Sequence, residues 1–517
     1  MIKNFKWLLF ASLAFVACNN NDDEVMIDAA SSDGKPLTSG TAVVTKYVAL
    51  GDSYAAGFSD NALFKLAQEG SYANVIAQQF SLAGGGDFKT PLMADNVGGL
   101  LLGGNVILGP RLFFNGTAPV PVSGRPTTEV TNKLAGPFNN LGVPGAKSYH
   151  LLAPNYGNVA GIGGGTANPY FVRFASTPST TIVADAVAQD ATFFSLWIGG
   201  NDILGYATSG GSGTNQTGNL NPATYGSTDI TDPTVFASTY TAIVNAMTAK
   251  GAKGVVANLP YVTALPYFTT VPYNPLTVSV LGGGNIAVGQ GTIAALNAQL
   301  YGPLKQALTA FGAGGRLNLL SATAPNPLLI IDESLPDLSL QLKAAFTADL
   351  GVATATAYGV IFGKARQATK DDLVVLTAQA VIGSSPQGIP APLNKFGITY
   401  PMQDKDVLTK AEIAEVKVAT DAYNLTIKTI ADAKGLAFVE LKGVTDQLAS
   451  GGIVYNGFTT TSTFVTGGMF SLDGVHPSPR GYAIIGNLFT EAINTKYNSN
   501  FKKVNVGLYR ILYPASL

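Results

Sequence analysis

The sequence predicts an α/β fold built on a mostly parallel sheet, and three observations carry that prediction. Short apolar runs at residues 47–50, 192–198, 255–257 and 436–441 have the length of buried strands. Segments with helical spacing of apolar side chains stand between them, so strand and helix alternate as in βαβ units. Of 517 residues, 46% are hydrophobic and 12% charged, with 59 glycines, which describes a large core under a loop-rich, weakly charged surface.

The chain opens with Lys3 and Lys6, a short apolar run over 7–16, and then Ala17-Cys18. A run this short does not span a bilayer and reads as a targeting segment. It resembles a bacterial lipoprotein signal, with Phe15 where an aliphatic residue is usual. The resemblance implies that Cys18 becomes a lipid-modified amino terminus, which explains why the chain has one cysteine. It places the protein in the cell envelope, as an outer-membrane lipoprotein facing the periplasm or the cell surface, or as a secreted protein if Cys18 is not modified. Residues 19–42, beginning Asn19-Asn20-Asn21-Asp22-Asp23-Glu24, read as a flexible polar tether. The remaining 43–517 read as one domain with insertions near 82–134, 208–227 and 260–407.

Within that domain the first strand ends at Leu50 and runs into Gly51-Asp52-Ser53, followed by a helical segment over 72–80. A hydroxyl at the carboxyl end of a parallel strand faces the crevice where open α/β sheets bind ligands, and the amino end of a following helix favours negative charge. By itself the tripeptide is equally a strand-to-helix turn capped by Asp52 or Ser53. Residues 82–134 are rich in Gly and Pro. Their apolar patches at 100–102, 106–108 and 112–114 read as staples under a long loop, or alternatively as an acyl-binding wall.

A turn-rich segment, Asn140 to Ala146, offers Gly142 or Gly145 as a backbone N–H donor close to a ligand. His150 beside Leu151 and Leu152 reads as structural. The 192–198 strand ends in Gly199-Gly200-Asn201-Asp202, again placing polar residues just past a carboxyl end. Pro233 opens a helix that stops near Gly251. The long stretch over 260–407, with helices near 293–311 and 338–346, reads as a subdomain over one sheet edge. Thr409 and Glu412 form a capping box for a helix ended by Gly435. Asp473-Gly474-Val475-His476 precedes a last helix over 481–494 and a tail that packs on the domain.

Composition excludes several classes of function. Lys plus Arg is 31 against 32 for Asp plus Glu, which gives no net attraction for nucleic acid. Two histidines and one cysteine form no zinc-type cluster, and neither a Walker loop nor a dinucleotide fingerprint is present. No cofactor is expected.

Four segments supply what ester cleavage by a serine needs: a nucleophile, an imidazole, a carboxylate to hold it, and oxyanion donors. Gly51-Asp52-Ser53 with Gly57, Asn140 to Gly145, Gly199-Gly200-Asn201-Asp202, and Asp473 to His476 resemble, in order, the four blocks of the SGNH or GDSL hydrolase superfamily. The resemblance implies a flavodoxin-like three-layer α/β/α domain. It implies Ser53 as nucleophile, His476 as general base and acid, Asp473 as the orienting carboxylate, and an oxyanion hole from the N–H groups of Ser53 and Gly145 with the Asn201 amide. Counting from Asn140 favours Gly145 over Gly142. Independently, Asp and His three positions apart on one loop can bring carboxylate against ring. Asp52 and Asp202 are expected to hold turns. The substrate expected is a carboxylic ester, with lipid or acyl esters favoured by the apolar patches. A carbohydrate O-deacetylase, an O-acyltransferase and a non-catalytic surface lipoprotein binding glycan or lipid are the alternatives.

Overall fold

The structure, a computed structural model, describes residues 31–517. The targeting segment, Cys18 and the first part of the tether lie outside the described residues. The rest of the expected tether lies against the domain instead of free of it. Ser32 N–H donates to Asn500 O, Thr38 N–H to Asn500 Oδ1 and Thr41 N–H to Tyr497 O, and Ala42 is buried.

Five parallel strands form the central sheet: β1 (Tyr47–Gly51), β2 (Asn140–Gly142), β3 (Phe193–Trp197), β4 (Lys253–Ala257) and β5 (Ala437–Val439). Their spatial order is β5-β4-β3-β1-β2. β2 corrects the sequence reading, which took this segment for a turn. Asn-Leu-Gly carries no β-branched residue, and it becomes a strand only because β1 offers it a ladder, with Gly51 opposite Gly142.

Among the helices are α1 (Ser53–Ala56), α2 (Tyr72–Ser81), α3 (Asn201–Thr208), α4 (Pro233–Thr248), α5 (Lys410–Lys434) and α6 (Pro479–Tyr497). β1 and β3 are buried at every position, which requires cover on both sheet faces. Tyr47, Phe193 and Trp197 meet Phe80 of α2 and Phe489 and Tyr497 of α6. α4 and α5 pair as a second helical layer, with Phe236 stacked on Tyr423 at 4.2 Å. The capping box is present, with Glu412 accepting from Thr409 N–H at 2.6 Å, and Gly435 ends α5 in a left-handed turn at φ 64°.

The expected helix over 293–311 is broken. Ile286–Leu296 and Gly302–Ala310 flank a π-helical turn at Asn297–Tyr301. The helix expected over 338–346 extends to Ser339–Phe362, with a break at Gly351. These elements share a core of their own around Leu300, Leu304, Leu342 and Phe362. In the first insertion, two small hairpins pair Leu100–Leu102 with Asn105–Leu108 and Leu112–Phe114 with Pro119–Pro121. Leu100 is buried, but Val106, Ile107 and Leu108 are exposed, so that patch is not a staple under a loop.

Candidate active site

Leaving β1, the chain passes to β2 on one side and crosses to β3 on the other, so the strand order reverses between β1 and β3. In open α/β sheets the crevice at that switch, beyond the carboxyl ends of the strands, is where ligands bind. Ser53 follows β1 directly, Gly145 lies just past β2, and Asn201 lies just past β3.

Asp52 caps α1 by accepting from Tyr54 N–H at 3.0 Å, and Gly57, at φ 85°, ends the helix after one turn. A helix this short contributes little macrodipole, contrary to expectation. What it offers is the Ser53 N–H, which finds no acceptor among the described residues. Asn140 fixes the neighbouring strand against this turn. Its Nδ2 donates to Ala55 O at 2.8 Å, and a Cβ on Gly142 would sit 2.4 Å from Ala56 N.

Ser53, His476 and Asp473 come together from residues 423 positions apart in the chain. Ser53 Oγ lies 2.8 Å from His476 Nε2, and His476 Nδ1 lies 2.9 Å from Asp473 Oδ2. A carboxylate on Nδ1 holds the proton there and leaves Nε2 as an acceptor for the serine hydroxyl. Asp473 Oδ1 accepts from the N–H groups of Val475 and His476, both at 2.8 Å. Burial alone would raise this carboxyl; the adjacent His476 ring and these hydrogen bonds outweigh it and hold the group below its ordinary value. The imidazole is flanked by Phe58 at 4.6 Å and Tyr54 at 5.4 Å, and Tyr54 Oη donates to Val475 O at 3.1 Å.

Gly145, favoured by the sequence, and Gly142 differ in their bonding. Gly142 N–H donates to Asn140 Oδ1 at 3.0 Å, whereas Gly145 is exposed and its N–H finds no acceptor among the described residues. Gly145 also sits at φ 79°, a conformation glycine adopts without strain. Asn201 Nδ2 donates one proton to Ala146 O at 3.0 Å, which ties the third segment to the second and leaves its other amide proton available.

Three further side chains support this end of the sheet. Asp202 is fully buried and holds Ser148. Lys147, also buried, donates Nζ to Asp229 O at 2.7 Å, a role the sequence did not flag. His150 stacks on Tyr156 at 4.5 Å and accepts from Lys147 N–H at 3.0 Å. Burial, helped by the Lys147 charge, lowers it to about 4. It takes no part in the Ser53 relay. Burial also pushes Asp52 up to about 7, against the hydrogen bond from Tyr54 N–H.

Two apolar voids share Tyr54, Trp197, Pro260 and Leu265, and their volumes of about 20 and 30 Å³ leave each room for roughly one water. A cavity of about 660 Å³ lies away from this chemistry, beside the amino end of β1 and the edge strand β2, among Lys46, Lys89, Phe138 and Phe174. Among the described residues no group of His, Cys, Asp and Glu is arranged to hold a metal ion. No protein-family model, curated protein or solved structure matches this chain.

Proposed function

We propose that this protein is a serine hydrolase of the SGNH type, with a flavodoxin-like three-layer domain, that cleaves carboxylic esters through an acyl-enzyme. The observation that carries this reading is the unbroken relay from Ser53 Oγ through His476 to Asp473, at 2.8 and 2.9 Å. The strand order supports the fold reading, since it is the doubly wound order in which the switch falls between the first and third strands.

In this mechanism His476 Nε2 takes the Ser53 proton as Oγ attacks the ester carbonyl. The oxyanion accepts hydrogen bonds from Ser53 N–H, Gly145 N–H and the free amide proton of Asn201. The tetrahedral intermediate collapses as His476 returns the proton to the leaving alcohol. Water then repeats the sequence against the acyl-enzyme, releasing the acid and restoring Ser53. Asp473 stays ionised and stabilises the imidazolium at both stages.

The test combines a serine-directed fluorophosphonate with turnover of a series of activated esters from acetyl to dodecanoyl. Labelling and turnover are expected to fall by about three or more orders of magnitude in Ser53→Ala and in His476→Ala. Labelling that survives Ser53→Ala would overturn the reading. Adding an acceptor alcohol and analysing the products separates hydrolysis from acyl transfer.

A further inference from the structure

Past the nucleophile turn the chain doubles back over Ser59, Asp60, Asn61 and Ala62. Ser59 and Ala62 exchange N–H···O bonds at 3.1 Å, and the two central residues have φ values of 51° and 64°. Positive φ at both central positions defines a type I′ turn, which selects Asn, Asp or Gly there. Such a turn satisfies its ends and leaves the N–H groups of its two central residues free to point outward.

Those groups run along the loop that carries Asp473 and His476. Asp60 N–H donates to Ser471 Oγ at 3.0 Å, and Asp60 Oδ1 accepts from Leu472 N–H at 2.9 Å. Ser59 Oγ–H donates to Pro477 O at 3.1 Å. Asn61 N–H donates to Asp473 Oδ2 at 3.0 Å, the oxygen that also accepts from the imidazole. Asp473 thus receives hydrogen bonds from its own loop and one from outside it, and the outside donor is aimed by a left-handed backbone. Asp60 is buried, while the Asn61 side chain is exposed.

We infer that the Ser59–Ala62 turn is part of the catalytic machinery's support, with Asn61 a positioning residue whose backbone N–H fixes the Asp473 carboxylate, and Asp60 the clamp that fixes the turn to the 471–477 loop. This rests on the triad reading of Ser53, His476 and Asp473. What position 61 contributes is a backbone conformation, because its side chain points to solvent and packs nothing away.

The experiment compares Asn61→Gly, Asn61→Ala and Asn61→Val by kcat, KM, thermal melting and the downfield NMR resonance of the His476 Nδ1 proton. Glycine enters this conformation freely, alanine with strain, and a β-branched residue least of all. Asn61→Gly is expected to keep kcat within about threefold of wild type and to leave the resonance in place. Asn61→Val is expected to lose about ten- to a hundredfold in kcat, the worth of one hydrogen bond to a charged group. Its KM should stay within about threefold, its resonance should shift, and Asn61→Ala should fall between. If Asn61→Val does not fold, the Gly and Ala pair still decides by its order. Equal kcat and an unmoved resonance in all three would overturn the inference, as would a glycine variant as damaged as the alanine one. The resonance reports on Asp473 whether or not a tested ester is a substrate, so failure of the ester reading is separable from failure of this one.

Discussion

Asp202 accepts both hydrogen bonds that Ser148 can donate, from its N–H at 2.8 Å and from its Oγ–H at 2.7 Å, in complete burial. Asp202 opens α3 beside Asn201, and Ser148 follows Gly145 by three positions, so this pair sets the distance between two of the proposed oxyanion donors. Asp202→Ala would leave two buried donors unpaired. It is expected to cost about 2–4 kcal/mol of stability, read by denaturant unfolding, and to lower kcat as the 145–148 loop loosens.

Asn201 reaches Ala146 O with one amide proton, which leaves the other for the proposed oxyanion. Asn201→Ala should therefore lower kcat by about a hundred- to a thousandfold with little change in KM, because the interaction it removes strengthens only as the oxyanion forms. A fall confined to KM would assign Asn201 to substrate binding instead.

Asp52 is held up to about 7 chiefly by burial, from an ordinary 3.8. A raised acid takes up a proton on folding. Its favourable contribution is complete below pH 3.8 and is lost as pH rises through about 7. Asn caps a helix as well as Asp does. Asp52→Asn is thus expected to melt higher than wild type at pH 8, by about 1–3 kcal/mol of stability, with the advantage fading toward pH 4. A constant difference across that range would count against a buried, protonating Asp52.

His150 behaves in the opposite sense. Burial lowers it from 6.5 to about 4, so the folded chain binds fewer protons than the unfolded one between those values, and stability from this group rises with pH across the interval. His150→Gln keeps an acceptor for Lys147 N–H and should flatten that rise in a pH series of thermal melts. The pH profile of the proposed ester turnover should not move, since His150 stands outside the Ser53 relay.

The sequence by itself determined much of this protein. Apolar runs at residues 47–50, 192–198, 255–257 and 436–441 placed four of the five strands, because strands covered on both faces read as nearly continuous apolar runs. The Ser53, His476 and Asp473 set was legible through the resemblance of four ordered segments to a known superfamily, while spacing alone pointed only to the pairing of Asp473 with His476, three positions apart. Tertiary structure alone decided the rest. Asn140–Gly142 has no strand propensity and is a strand only in register with β1. Counting from Asn140 already favours Gly145 over Gly142, and the fold adds a difference in bonding that spacing does not encode, because the Gly142 N–H donates to Asn140 Oδ1. The support that Asn61 gives Asp473 joins residues 412 positions apart through a main-chain donor, and a main-chain donor carries no side-chain signature for the sequence to display.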